Sequence, residues 1–184
     1  MSNCHFVIER SGIHTTFQDS GYDNLQHLGI TTGGVVDDNL FKIANKLLGN
    51  NLNEPIIEFA YQGPRLRLEK GNAHIVITGN VHFTISKKSE DFSEIIGEPF
   101  NTYQLNEGDI VDILATKSSV YGYFSIAGGF NINKYNNSGS TLVLSTIGPN
   151  DGKTIQESQL IKFSRKSNNR TLNQLSYLSN HKNN

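Results

Sequence analysis

The sequence predicts a mainly β fold, a barrel or a sandwich, carrying one prominent helix at about residues 37–49. Two observations predict it. From Pro55 onward, apolar residues recur with period two between glycine-bearing turns, the signature of half-buried strands. Only one stretch, Leu40, Ile43, Ala44, Leu47 and Leu48, falls on strong helical spacing. Many short strands and one helix fit a closed or layered antiparallel sheet, and closure into a barrel removes the exposed edges of an open one.

Taken in order, His5 to Arg10 reads as a strand, and Asp19 to Val36 as a loop holding Gly21, Gly29, Gly33 and Gly34. Asp37 is placed to cap the helix by accepting bonds from its first free N–H groups. Gly49 closes the helix as a left-handed cap, with Lys46 near the negative end. Strands are expected at Ile56 to Tyr61, around Leu66 and Leu68, at Ile75 to Ile77 and from Val81 to Ile85. Gly71-Asn72 and Thr78-Gly79-Asn80 are the turns between them, and the set reads as successive hairpins. Residues 87–101 form a charged excursion. Further strands are expected at Tyr103 to Leu105, Ile110 to Leu114, Tyr121 to Ala127, Leu142 to Thr146 and Gln159 to Phe163. One β domain therefore spans residues 1–163. Residues 164–184, rich in Asn, Ser and Lys, read as a disordered tail, or as a short docking helix through Leu172, Leu175 and Leu178.

Of the 184 residues, 36% are apolar and 18% charged, with a net charge of −1. That balance gives no field to draw nucleic acid or an anionic membrane. No apolar run is long enough to span a bilayer, and the first residues lack a basic-then-apolar leader, so a cytoplasmic home is expected. Cys4 is the sole cysteine, which excludes a disulfide framework. No metal site is expected: the six histidines are scattered, and His74 and His82 flank one turn without ligand spacing. No P-loop and no nucleophile elbow occurs.

An ordered string of short elements carries a resemblance. It comprises Gln18-Asp19-Ser20-Gly21, His27-Leu28-Gly29-Ile30, Gly34-Val35-Val36-Asp37, Ala44-Asn45-Lys46-Leu47-Leu48-Gly49-Asn50, Glu58, and Gly63-Pro64. Further on come Ile77-Thr78-Gly79, Tyr123 to Gly129, and Ser138-Gly139-Ser140-Thr141. The chain in this way resembles the first half of the family that joins the 5-oxoprolinase C-subunit with allophanate hydrolase subunit 2. That resemblance implies a cyclophilin-like β-barrel, the first of the family's two linked barrels. It implies a sister subunit resembling the 5-oxoprolinase B-subunit or allophanate hydrolase subunit 1 and, if this chain is one part of a split subunit, a separate chain carrying the second barrel. It also implies a small polar substrate. One branch of the family opens 5-oxoproline to glutamate with ATP; a related domain in urea amidolyase moves a carboxyl group from biotin to urea. Two departures stand out. Tyr22 and Gly139 occupy positions where the family pattern has Arg, and neither replaces a two-pronged cationic donor.

Each candidate residue has two readings. Glu58, within Ile56-Ile57-Glu58-Phe59, either faces a cavity as an acid or base with a raised pKa, or points outward. Gln18 and Asp19 bind a small amide or satisfy their own loop. Asp37 orients a substrate or caps the helix. Thr78-Gly79 and Gly128-Gly129 present N–H groups to an oxyanion or phosphate, or are ordinary hairpin turns. Ser140 and Thr141 contact a ligand oxygen. Three functions follow: a subunit of an ATP-dependent 5-oxoprolinase-like or biotin-dependent carboxyltransferase-like enzyme, a non-catalytic binding module that pairs with a sister subunit, or a shortened, degenerate remnant.

Overall fold

A computed structural model describes residues 4–164. The expectations for the segment holding Leu172, Leu175 and Leu178 lie outside the described residues. The elements in order are β1 (Cys4–Arg10), β2 (Thr16–Gln18), α1 (Asp38–Leu47), β3 (Ile56–Ala60), β4 (Arg65–Lys70) and β5 (Asn72–Thr78). There follow β6 (Val81–Lys87), β7 (Ser93–Gly97), β8 (Thr102–Asn106), β9 (Ile110–Thr116), β10 (Tyr121–Ile126) and β11 (Leu160–Phe163).

The strands form two antiparallel sheets, ordered β11-β1-β4-β9-β6-β7 and β2-β3-β10-β5-β8. The mainly β class and the one prominent helix are as the sequence predicts, but the sheets are not closed into a barrel. An isolated bridge from Phe130 to Phe163 ties the chain after β10 to β11 without completing a closed ladder.

Period-two burial builds the core. Phe6 and Ile8, Leu66 and Leu68, Phe83 and Ile85, and Val111 and Ile113 point inward from the first sheet. Ile57 and Phe59, Ile75 and Ile77, and Phe124 and Ile126 meet them from the second. The outer face of the first sheet carries Arg10, Arg65 and Arg67 paired with Glu9 and Asp112 at 2.7–2.9 Å. The second sheet is covered on its outer face as well. Phe41 of α1 packs on Ile56 and Tyr123, and Ala44 and Leu48 pack on Val76. That double cover explains why all five residues of β3 are buried, without alternation.

The hairpin expectation is corrected. β4 and β5 lie in different sheets, as do β5 and β6, so Gly71 and Thr78-Gly79-Asn80 carry the chain across the core. Gly71 and Gly79 have φ of 100° and 106°, which side chains resist. Alternation fixes which side chains face the core, and both kinds of turn satisfy it. His74 and His82 accordingly stand on different sheets. The 87–101 excursion includes strand β7, paired with β6. The strand expected at Leu142 to Thr146 is instead a 3-10 turn at Val143–Ser145.

The helix begins at Asp38. Asp37 caps it, its carboxylate accepting the N–H groups of Asn39 and Leu40 at 3.0 Å. The buried stripe runs through Phe41, Ala44, Asn45 and Leu48, whereas Ile43 is exposed. Replacing Asp37 by Ala is expected to cost about 1 kcal/mol in urea denaturation, the usual worth of a cap. Replacement by Ser should recover most of that loss. Equal stabilities for all three proteins would remove the capping role.

Candidate functional site

Glu58 sits mid-strand in β3, opposite Thr16 of β2 and Tyr123 of β10. It lies on the helix side of the sheet and is only 3% exposed. Its Oε2 accepts the N–H of Val36 at 2.8 Å, and the hydroxyl of Tyr123 is hydrogen-bonded to its carboxylate. The same hydroxyl accepts the N–H of Asp37 at 2.8 Å. The loop entering the helix thus hangs two backbone N–H groups on a buried Glu–Tyr pair. Burial pushes the Glu58 carboxyl above the ordinary carboxylate range, opposed by the Val36 N–H, the Tyr123 hydroxyl and the nearby His14. Burial, and then the charge of Glu58, likewise push Tyr123 up. Glu58 does lie on the outer face of its sheet, but the loop that enters the helix covers it, so the side chain is buried rather than exposed.

A carboxyl raised in this way binds protons more tightly when folded. Its contribution to stability is full below the unfolded pKa and is lost as pH rises through the folded one. Glu58→Gln is therefore expected to match the parent at acid pH and to be more stable than it at neutral pH. Urea denaturation across that range checks this. A parallel pair of pH profiles, with the variant lower throughout, would show that ionised Glu58 is not penalised by burial.

A second cluster adjoins the first through β2. Gln18 donates from Nε2 to Thr16 Oγ1 at 3.0 Å and to the Thr141 carbonyl at 2.9 Å, while its Oε1 has no protein partner. Asp19 is wholly buried. Its Oδ1 accepts the hydroxyls of Ser138 (2.7 Å) and Ser140 (2.8 Å) and the N–H of Gly21 (2.9 Å). Its Oδ2 accepts the N–H of Gly139 at 2.5 Å. Ser140 Oγ also accepts the Asp19 N–H, and the Thr141 hydroxyl donates to the Pro149 carbonyl at 3.4 Å. Asp19 and Ser140 thereby latch the 19–22 loop to the 138–141 segment; this is the structural reading of Asp19, and it occupies the Ser140 hydroxyl that the sequence offered to a ligand oxygen.

Two of the positions that depart from the family pattern, Tyr22 and Gly139, meet at this latch. Gly139 supplies an N–H to Asp19, and a Cβ there would strike the Pro55 ring. Tyr22, 1% exposed, donates its hydroxyl to the Ser140 carbonyl at 2.5 Å. Burial and then the charge of Asp19 push its phenol up to about 12. Uncharged donors hold the carboxylate, and neither residue leaves a cation to meet a ligand.

The remaining candidates are engaged in the fold. Thr78 donates its hydroxyl to the Leu40 carbonyl at 3.0 Å, tying β5 to α1. Gly79 is a buried crossing turn in which a Cβ would meet the Tyr121 carbonyl oxygen at 3.2 Å. The Gly128 N–H is taken by Asn50 Oδ1 at 2.9 Å and the Gly129 N–H by the Ile126 carbonyl at 3.1 Å. The Gly128-Gly129 turn therefore does not fit a phosphate or an oxyanion. Asn45, wholly buried, completes that corner, donating to the Glu54 carbonyl and accepting from Asn50 and Ser125. Sequence reasoning misses Tyr123, Asn45, Asn50 and Ser138 as site residues. All four lie within the motif strings, but their partners are set by strand register.

Among the described residues, no group of three or more His, Cys, Asp or Glu side chains is placed to hold a metal ion. No helix among them is long and apolar enough to cross a membrane.

Two antiparallel sheets, a helix packed on the outer face of one of them, and a buried carboxylate beneath the helix entry define a carboxyltransferase-type β domain. The chain belongs to the family described as carboxyltransferase domain, subdomain A and B, which it matches over residues 28–184. It is 30% identical over 141 residues to the 5-oxoprolinase C-subunit of Haemophilus influenzae, an alignment covering 77% of this chain and 43% of that one. It is 26% identical over 154 residues to urea amidolyase of Lachancea kluyveri, covering 83% of this chain and 8% of the relative. The fold matches the crystal structure of the K. lactis urea amidolyase with a TM-score of 0.80 at 24% identity, over 90% of this chain and 10% of that one. The chain thus spans less than half the length of each of these relatives.

Proposed function

We propose that this chain is one subunit of a 5-oxoprolinase-like enzyme that opens 5-oxoproline to glutamate, with Glu58 handling the proton. The observation that carries the reading is Glu58 itself: a carboxyl buried under the helix entry, hydrogen-bonded to Tyr123, with its pKa raised toward the range useful to an acid or base. The 30% identity to a 5-oxoprolinase C-subunit supports the substrate class. Gln18 Oε1, a buried acceptor without a protein partner, suits the N–H of a lactam or of urea. The biotin-dependent carboxyltransferase reaction of the urea amidolyase type is the neighbouring reading, supported by 26% identity. The site is completed by a sister subunit and by the other half of the family's length; this chain spans 43% of the 5-oxoprolinase C-subunit relative. The glycine turn at Gly128-Gly129 has its N–H groups engaged within the fold, so the phosphates of ATP are met by a partner.

One observation favours a second reading, a non-catalytic module that pairs with a sister subunit. Asp19, Ser140, Thr141, Thr78, Asp37 and Gly128 all have polar groups bonded within the fold. One experiment separates the two. The chain is mixed with a sister chain of the 5-oxoprolinase B-subunit type and a second-barrel chain, and glutamate release from 5-oxoproline is followed with and without ATP. ATP-dependent release that falls about 100-fold in Glu58→Gln fits a residue acting in proton transfer. Stable pairing without release selects the binding module.

A further inference from the structure

The first sheet ends on a strand that nothing among the described residues covers. β7 pairs with β6 through Phe83↔Gly97, Ile85↔Ile95 and Lys87↔Ser93, and no described strand lies on its other side. A strand with one neighbour leaves alternate N–H and C=O groups of its outer edge unpaired. The other end of the same sheet is met differently, since Asn131 donates its N–H to the Lys162 carbonyl of β11 and Phe130 bridges to Phe163. β2, at an edge of the second sheet, is buried throughout.

β7 is short and its one charged residue is Glu94. Residues 93–97 include no Pro and no Lys. Ile96 is 70% exposed and Ile95 43%, with Phe92 at 47% just before them. Gly97 seats the strand against the Phe83 ring, where a Cβ would collide. This is a firmly anchored strand with an apolar, unpaired edge.

Charge decides what fits it. Between Glu90 and Glu98 the chain carries Glu90, Asp91, Glu94 and Glu98, all exposed, with no Lys or Arg among them. Lys87, at the start of the arm, is bonded to the buried Asp109. A second copy of this chain would bring the same carboxylates against these, and like charges opposite one another disfavour strand pairing. From this edge we infer that β7 is a docking strand for an extended segment of a partner protein, one that alternates apolar with basic residues and adds antiparallel to the sheet. Its backbone takes the free ladder positions, its basic side chains lie on the face that carries Glu94 and Ile96, and its apolar ones lie on the opposite face over Ile95. This docking is independent of whether Glu58 catalyses.

The test uses the full chain and two synthetic strand peptides, one alternating Ile with Lys and one alternating Ile with Glu. Each is also made with alternate backbone nitrogens methylated. The Lys peptide should bind about tenfold or more tighter than the Glu peptide, with salt narrowing the gap, and should protect the amides of residues 93–97 from hydrogen exchange. Methylation should abolish binding. The double variant Glu90→Lys, Glu94→Lys should reverse the preference, while Ile95→Lys, at an exposed position, weakens binding and leaves the fold intact by circular dichroism. Failure of both peptides to bind would overturn the inference. So would equal binding of the two, indifference to methylation, protection elsewhere than β7, or self-association of the chain through β7 in sedimentation.

Discussion

Replacing Asp19 by Ala is expected to destabilise the protein by about 3 kcal/mol or more, because it strands several buried donors at once. The carboxylate holds the Ser138 and Ser140 hydroxyls and the N–H groups of Gly21 and Gly139, in a place closed to water. Losing it leaves those groups without a partner and frees the 19–22 loop from the 138–141 segment. Asp19→Asn is the sharper variant. An amide offers one acceptor oxygen where the carboxylate offers two, and its NH2 group would confront a donor at Gly139 or at the serines. It should therefore be nearly as destabilising as Ala despite its similar shape. Ser140→Ala removes one hydroxyl donor and one acceptor and should cost less. Urea denaturation of the three variants measures the order. If Asn is tolerated as well as Asp, the latch is not what holds these segments together. On a total stability of about 5–15 kcal/mol, such a loss is a large share of the whole.

A comparable loss is expected from Phe124→Ala, about 3–5 kcal/mol, for a different reason. Phe124 is fully buried at the centre of β10 and projects into the space between the sheets. Its ring meets Phe6 edge-on, centroids 5.9 Å apart at 84°, and lies 6.2 Å from that of Phe130. Phe6 belongs to the first sheet and Phe130 to the segment that bridges to β11, so the ring joins three parts of the fold. Truncation removes that contact and leaves a cavity where neighbouring strands cannot collapse. Phe124→Leu should cost less, since it keeps most of the volume. Thermal and urea unfolding should place Leu between the parent and Ala. A mild loss for Ala would mean that the sheets close over the gap. The two experiments separate the supports of the fold: Asp19 acts through polar satisfaction at the edge of the site, and Phe124 through packing at the middle.

The mainly β class, the position of most strands, the prominent helix and its Asp37 cap are all legible in the residues alone. These are local properties: period-two burial, 3.6-residue spacing and the hydrogen-bonding capacity of one side chain just before a helix. Glu58 is also marked there as unusual, a carboxylate inside an apolar run. Three-dimensional packing was needed to settle that β4, β5 and β6 alternate between sheets, that the sheets stay open, and that β7 is left as an edge. Alternation says which residues face a core but not which strand lies alongside. Register likewise set Tyr123 opposite Glu58, and long-range pairing brought Tyr22 and Gly139 to the same segment as Asp19. The cause is separation along the chain. A buried carboxylate takes its function from whatever donors the fold delivers to it, and those here lie up to 121 positions away.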